Sequence, residues 1–339
     1  MKIGLIGGGN ISNTHARAAS AIPAVEVAAV YGSNLDKVNQ LSQEYGAVPY
    51  HDLQAFLVHR PMEMVIIGGP SGLHAQHGIL VAQQGLHVLV EKPIDVSSKQ
   101  SAALIAACEK AKVKLGVIFQ ERFKPQIRRL KQLIQDGILG RVLLADARVK
   151  WYRPPEYYKQ SRWRGTWALD GGGALMNQGV HTVDLLLWLL GDVARVQART
   201  ATMLHSIETE DTALALIEFS NGALGTLQAT TAAYPGYLRR VEITGTEGTI
   251  ILENDVIIAA DLRSQQTDLA TDRAPDSNLS ASSPVVSDAR GHQSAIEDFA
   301  RAVVENRTPA CDGYEAQRSL SLIERIYQAS RQFSDCPKP

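Results

Sequence analysis

The sequence predicts an α/β protein of two domains: a doubly wound parallel sheet in the first third and an antiparallel sheet with helices in the remainder. Three observations predict it. Short apolar runs alternate with single helical stretches from residue 2 to residue 119, the pattern of βα units in a parallel sheet. From about Phe123 the runs follow one another across short turns instead, as antiparallel strands do. The 339 residues, 45% of them hydrophobic, suffice for two cores of ~150 residues each.

Residues 2–6 form a strand ending in Gly7-Gly8-Gly9-Asn10-Ile11-Ser12, after which Ala16, Ala18, Ala19 and Ile22 face a sheet from a helix. Residues 25–30 are the next strand and Leu35–Tyr45 a helix stopped by Gly46, giving a right-handed βαβ crossover. Met64–Ile67 is a buried strand, 74–84 a helix with Gly85 at its C-cap, 87–90 a strand, 97–112 a helix and 115–119 a strand. An amphipathic helix at 125–136 ends at Gly137. Strands then follow at 141–151, 195–203, Thr212–Phe219, 223–231, 238–244, 248–252 and 256–260, with Asn221-Gly222 as a hairpin turn. Residues 263–292, rich in Ser, Asp, Gln and Pro, form an excursion too long for an ordinary connection. Two helices close the chain, lined by Ile296, Phe299, Ala300, Val303 and Val304 and by Ala316, Leu320, Ile323 and Tyr327.

Lys+Arg 34 against Asp+Glu 35 leaves a formal charge of −1, so no global field draws the protein to nucleic acid or an anionic membrane. No apolar run reaches the ~18 residues of a membrane span, and the chain opens on a strand rather than a signal peptide. Cys108, Cys311 and Cys336 form no CxxC pair or His/Cys cluster, which predicts neither a disulfide framework nor a metal site and favours a cytoplasmic protein.

A doubly wound sheet binds ligands at the carboxyl ends of its strands. Gly7-x-Gly9-x-x-Ser12 departs from GxGxxG/A at its third position, but it lies between strand and helix, where backbone N–H groups face a pyrophosphate; the alternative is a merely tight turn. The second strand's tip, Tyr31-Gly32-Ser33-Asn34, offers no carboxylate to a ribose, and Lys37 lies one turn on, so NAD and NADP both remain open. Glu91-Lys92-Pro93 places an ammonium at a strand end, where it can favour an alkoxide or exchange a proton. A solvated loop lysine is the alternative.

Residues 170–191 fit a buried helix in which Asn177, His181 and Asp184 fall at i, i+4 and i+7 on one face. Asp184 there accepts from one ring nitrogen of His181 and leaves the other for a ligand, the arrangement of an oriented base; a satisfied core histidine is the alternative. Trp151, Tyr152, Arg153, Tyr157, Tyr158, Arg162, Trp163, Arg164 and Trp167 mix aromatics and arginines in one loop. Sugars stack on such rings, and carboxylates or diphosphates fit such guanidinium forks. An oligomer contact is the other use of that composition.

The stretches Ile67-Gly68-Gly69-Pro70-Ser71-Gly72-Leu73-His74 and Gln84-Gly85-Leu86-His87-Val88-Leu89-Val90-Glu91-Lys92-Pro93, with the segment around His181, resemble the glucose-fructose oxidoreductase, inositol dehydrogenase and MocA family. The resemblance implies an N-terminal Rossmann domain, residues 1–122, binding NAD or NADP. It also implies a C-terminal α/β domain, residues 123–339, with a large, mostly antiparallel sheet for substrate and oligomerisation, the closing helices at 293–331 packing back on the first domain. The implied activity is NAD(P)-dependent interconversion of a secondary alcohol and ketone of a sugar, inositol or nucleotide sugar, with Lys92 and His181 catalytic. Gly7, Gly9, Asn10 and Ile11 would cradle the pyrophosphate, Ser33 would approach the adenosine ribose, and Pro70, His74, Glu91 and Lys92 would line the nicotinamide half. Tyr152, Trp163, Arg164, Asp170 and Asn177 would meet the substrate. Asn177 stands where many relatives carry Asp, which excludes a carboxylate–histidine dyad at that position. The wording from Trp163 to Gln178 resembles the branch that oxidises C3 of UDP-N-acetylglucosaminuronate. A homodimer or homotetramer is expected, with no nucleic acid or membrane partner. The competing readings are an NAD-dependent glycosidase of the same fold and a non-catalytic dinucleotide or sugar sensor.

Overall fold

The structure, a computed structural model, describes residues 1–263 and 288–334, so most of the excursion expected at 263–292 lies outside the described residues. These residues divide into two compact units: 1–120, 168–171 and 288–320, and 121–167, 172–263 and 321–334.

The first unit runs β1 (Lys2–Ile6), α1 (Asn10–Ser20), β2 (Glu26–Tyr31), α2 (Leu35–Tyr45), β3 (Val48–Tyr50), α3 (Leu53–Leu57), β4 (Met64–Ile67), α4 (His74–Gln83), β5 (His87–Glu91), α5 (Ser98–Ala111) and β6 (Leu115–Ile118). All six strands are parallel, in the order β3-β2-β1-β4-β5-β6. This is the Rossmann order, whose switch point falls between β1 and β4. Apolar β-branched strands such as Val65-Ile66-Ile67 and Val88-Leu89-Val90 are buried on both faces. The Asn34 side chain accepts from the Lys37 amide to cap α2, and Gly46 ends it at φ +68°. β3 and α3 escaped the sequence reading because β3 is a three-residue edge strand containing Pro49 and largely exposed. Two further helices follow the excursion: α9 (Arg290–Val304), in this unit, and α10 (Gly313–Ser334), whose residues from 321 onward belong to the second unit. Phe299 of α9 covers Gly116 of β6, where a Cβ would approach its ring to 2.5 Å.

The second unit holds α6 (Pro125–Gln135), β7 (Val142–Lys150), α7 (Pro155–Lys159), a π-helical turn (Ala174–Gly179), α8 (Val180–Leu190), and strands β8 (Val193–Ala201), β9 (Thr212–Phe219), β10 (Leu224–Thr230), β11 (Arg240–Gly245), β12 (Gly248–Glu253) and β13 (Val256–Leu262). Its sheet, β13-β12-β11-β7-β10-β9-β8, is antiparallel except where β7 pairs with β10. One face buries Ala145, Ala147, Ile217, Leu227 and Ala229 under α8 and the π turn. The other leaves Leu214, Leu216 and Leu224 at least half exposed.

The continuous helix expected over 170–191 is corrected here. Regular α-helix begins only at Val180, and the preceding turn is wider. Asn177 and His181 therefore sit on two kinds of helix, and their α-helical spacing of four does not carry over.

Candidate active site

Gly7 takes φ +130°, and a Cβ there would overlap Ser12 Oγ and come within 2.9 Å of the Gly68 carbonyl. Only glycine serves at that position. A Cβ at Gly9 or Gly69 would meet nothing within 4 Å. Gly9 is also the N-cap of α1, where no side chain caps the helix, so the amides of Asn10 and Ile11 begin a helix whose N-terminus opens on free space. That combination fits a pyrophosphate. Ser33 is exposed at the tip of β2, next to Gly32, whose Cβ would lie 3.3 Å from the Gly8 nitrogen.

Pro70 is half-buried and introduces a short turn into α4. His74 is buried with Nδ1 2.8 Å from the Pro93 carbonyl and Nε2 3.0 Å from the Gly69 carbonyl. These two contacts tie the end of β4 to that of β5. Glu91 is buried as well. Its Oε1 lies 2.9 Å from His15 Nε2 and 3.3 Å from His292 Nε2, while Oε2 accepts from the Lys92 amide at 2.9 Å. Burial works against the Glu91 charge, but the hydrogen bonds from His15 and His292 hold its pKa well below the ordinary value. Burial lowers the pKa of His15 despite the neighbouring carboxylate. The three donor atoms lie within 4.8 Å of one another, a spacing a metal could use, yet here one carboxylate oxygen receives both imidazoles. Lys92 follows, half-buried, joined to Pro93 by a cis peptide. Asp170 is buried in the same unit, beside Leu169, whose carbonyl accepts from the Gly72 amide at 2.9 Å. Sequence reading missed His15 and His292, because no local spacing links α1, β5 and α9.

In the second unit His181 is buried on the first turn of α8. Asn177 is half-buried in the π turn, its side-chain oxygen accepting from Gln178 at 3.2 Å. Sequence reading pairs Asp184 with His181; in the structure both Asp184 oxygens accept from the Arg122 guanidinium, at 2.8 and 2.6 Å. Both partners are fully buried, so this is a desolvated, bidentate pair anchoring α8. Arg122 lies before α6 and carried no sequence signal. In the aromatic loop, the half-buried Arg164 sits 4.2 Å above the Tyr157 ring and 5.5 Å from the Trp163 ring. It also lines a cleft of about 640 Å³ with Tyr158, Lys159, Thr166, His205 and Glu208. Tyr152 stands edge-on to Tyr234 at 5.2 Å, and Trp163 is half-buried.

A parallel sheet in Rossmann order with an uncapped glycine turn defines a dinucleotide-binding domain. Comparison with known proteins is more specific. Residues 1–119 match the oxidoreductase family with an NAD-binding Rossmann fold, and residues 127–251 match the GFO/IDH/MocA C-terminal domain. The WlbA dehydrogenase from Bordetella pertussis, solved in complex with NADH and UDP-GlcNAcA, is 32% identical with a TM-score of 0.89, covering 98% of this chain and 96% of that one. Its counterpart from Chromobacterium violaceum is 31% identical with a TM-score of 0.88, over 98% and 94%. Levoglucosan dehydrogenase from Pseudarthrobacter phenanthrenivorans is 26% identical over 291 residues, 74% of this chain and 73% of its own length. The chain belongs to the GFO/IDH/MocA family of oxidoreductases.

Proposed function

We propose that the protein interconverts a secondary alcohol and a ketone on a sugar, with a nucleotide-sugar uronate as the substrate class and NAD or NADP as partner. Residues 1–122 are the cofactor half and 123–339 the substrate half. Bound dinucleotide supplies a hydride acceptor at nicotinamide C4. Gly7, Gly9, Asn10 and Ile11 hold the pyrophosphate and Ser33 meets the adenosine ribose. Pro70, His74 and Glu91 shape the nicotinamide half and fix the backbone from which Lys92 extends. His181 accepts the hydroxyl proton as the hydride leaves, and the Lys92 ammonium stabilises the developing alkoxide. Asn177 and Asp170 offer hydrogen bonds to hydroxyls. Tyr152 and Trp163 offer ring faces, and Arg164 an anion-binding fork.

The observation that carries the reading is the open, uncapped N-terminus of α1 at Gly9. The substrate class is supported by the Arg164 cleft and by the likeness to a dehydrogenase solved with UDP-GlcNAcA. The test is to supply NAD or NADP with UDP-N-acetylglucosaminuronate, neutral nucleotide sugars and inositols and follow reduced nicotinamide. Reduction of either dinucleotide by the uronate is expected. Bond cleavage without net reduction, or no turnover with any of these, contradicts the proposal.

The exposed leucines on the open sheet face favour self-association as a homodimer or homotetramer, which sedimentation measures. Buried, unbridged Cys108 and Cys311 support the cytoplasm. Among the described residues no helix is long and apolar enough to cross a membrane. The balanced charge supports neither a nucleic-acid nor a membrane partner.

A further inference from the structure

Glu210 precedes β9 and carries no motif, yet its side chain is buried against the start of the π turn. Oε2 accepts from the Gly173 amide at 2.9 Å and Oε1 from the Leu175 amide at 2.9 Å, while the Glu210 carbonyl accepts from the Ala174 amide at 3.0 Å. Three successive amides at the head of the turn are thus held by one residue. The approach is possible only because residue 173 is glycine: a Cβ there would overlap the Glu210 carbonyl. A fourth donor comes from α10, where the Tyr327 hydroxyl reaches Oε1 at 3.0 Å. Gly172 is constrained in the same way, since its Cβ would overlap that hydroxyl.

We propose that Glu210 is a positioning residue for His181, its carboxylate fixing where the π turn begins and hence the angle at which α8 presents the imidazole. This rests on the reading of His181 as the base. A π turn spaces residues differently from an α-helix, so shifting its first hydrogen bond rotates everything that follows, and His181 is only the second residue of α8. Three of the four donors, the Gly173 and Leu175 amides and the Tyr327 hydroxyl, point at the carboxylate, and no donor from Glu210 is required. Glutamine at this position would turn an N–H toward one of the amides and lose at least one of these bonds. Burial pushes the Glu210 carboxyl up to about 7 against the Leu175 and Gly173 amides and the Tyr327 hydroxyl. The titratable group facing it is Tyr327.

The experiment compares wild type, Glu210→Gln, Tyr327→Phe and His181→Asn in kcat, dinucleotide KM and the pH profile of kcat. Glu210→Gln is expected to lower kcat ~10- to 100-fold, as sub-ångström misplacement does, with dinucleotide KM unchanged. The part of the acid limb that an ionised Glu210 contributes is expected to vanish in this variant. Tyr327→Phe removes one donor, and a smaller loss in the same direction is expected. Glu210→Gln with wild-type kcat and an unchanged acid limb overturns the proposal. If that variant does not fold, a folded Tyr327→Phe with wild-type kcat and pH profile overturns it. His181→Asn separates the two ideas: full activity there defeats the base assignment itself.

Discussion

In the first unit, the groups we propose for the cofactor are backbone amides and side chains carried at the ends of adjacent parallel strands. In the second, they are side chains on a buried helix and a long loop, held by residues remote in sequence. The glycine turn works through what is absent: no Cβ at Gly7 or Gly9 and no cap on α1. The π turn and α8 work through what is buried: Glu210 on the turn's amides and Arg122 on Asp184. The glycine turn is specified locally and tolerates distant change, whereas Glu91 in the same unit is held by His15 and His292. The site in the second unit depends on long-range pairs, so its failure should show as lost stability or geometry before lost affinity.

The largest effect expected is on chemistry carried by the first unit. Lys92→Ala should lower kcat about 10²- to 10⁴-fold while fluorescence titration shows the dinucleotide binding as before. Normal turnover in that variant would remove Lys92 from the mechanism. Next comes the anchor of the second unit. Arg122→Ala removes the guanidinium from which both oxygens of the buried Asp184 accept, and chemical denaturation should show a loss of about 3–5 kcal/mol; a change below ~1 kcal/mol would mean that the pair does not hold α8. A smaller, purely local effect belongs to Gly9→Val, which fills the open space over α1. Its expected cost is about 1–3 kcal/mol of dinucleotide binding, roughly 5- to 150-fold, with melting temperature preserved. Equal loss of affinity and stability would blur the distinction between the two kinds of site.

The smallest effect concerns acid. Glu121, half-buried, lies 2.5 Å from Lys124 and 3.2 Å from Arg239, and Asp255 completes the network with both cations. Burial resists the Glu121 charge, but Lys124 and Arg239 overcome it and depress the pKa. A depressed folded pKa stabilises the protein above the ordinary glutamate range and loses that contribution as pH falls below it. Glu121→Gln should therefore flatten the stability loss as pH falls below about 4, measured by denaturation at each pH. An unchanged slope would assign that loss elsewhere.

The same contrast explains what could be read from the chain. Asn34 and Gly46 bound α2 as their types require, Asn221-Gly222 turns β9 into β10 with Gly222 at φ +84°, and the Glu91-Lys92-Pro93 run ends β5. These are short-range signals with a local physical cause. The π turn was missed because Ala174–Gly179 has an apolar pattern that serves an α-helix equally well. Glu210, which accepts from its first amides, lies before β9 and far from the turn in sequence. Arg122 with Asp184, and Glu91 with His15 and His292, have no periodicity that announces them. Asp184 was correctly singled out as polar and buried, but its charge partner could not be read from its own helix. Exposed β3 and its proline likewise gave no apolar run.

The central claim is that hydride leaves a sugar carbinol as His181 takes its proton. It is tested most directly by a single turnover of wild type and His181→Asn, mixed rapidly with saturating dinucleotide and UDP-N-acetylglucosaminuronate. The predicted result is nicotinamide reduction slowed about 10²- to 10⁴-fold in the variant, with its acid-side pH dependence on His181 gone. Reduction at the wild-type rate with an unaltered pH profile would contradict it.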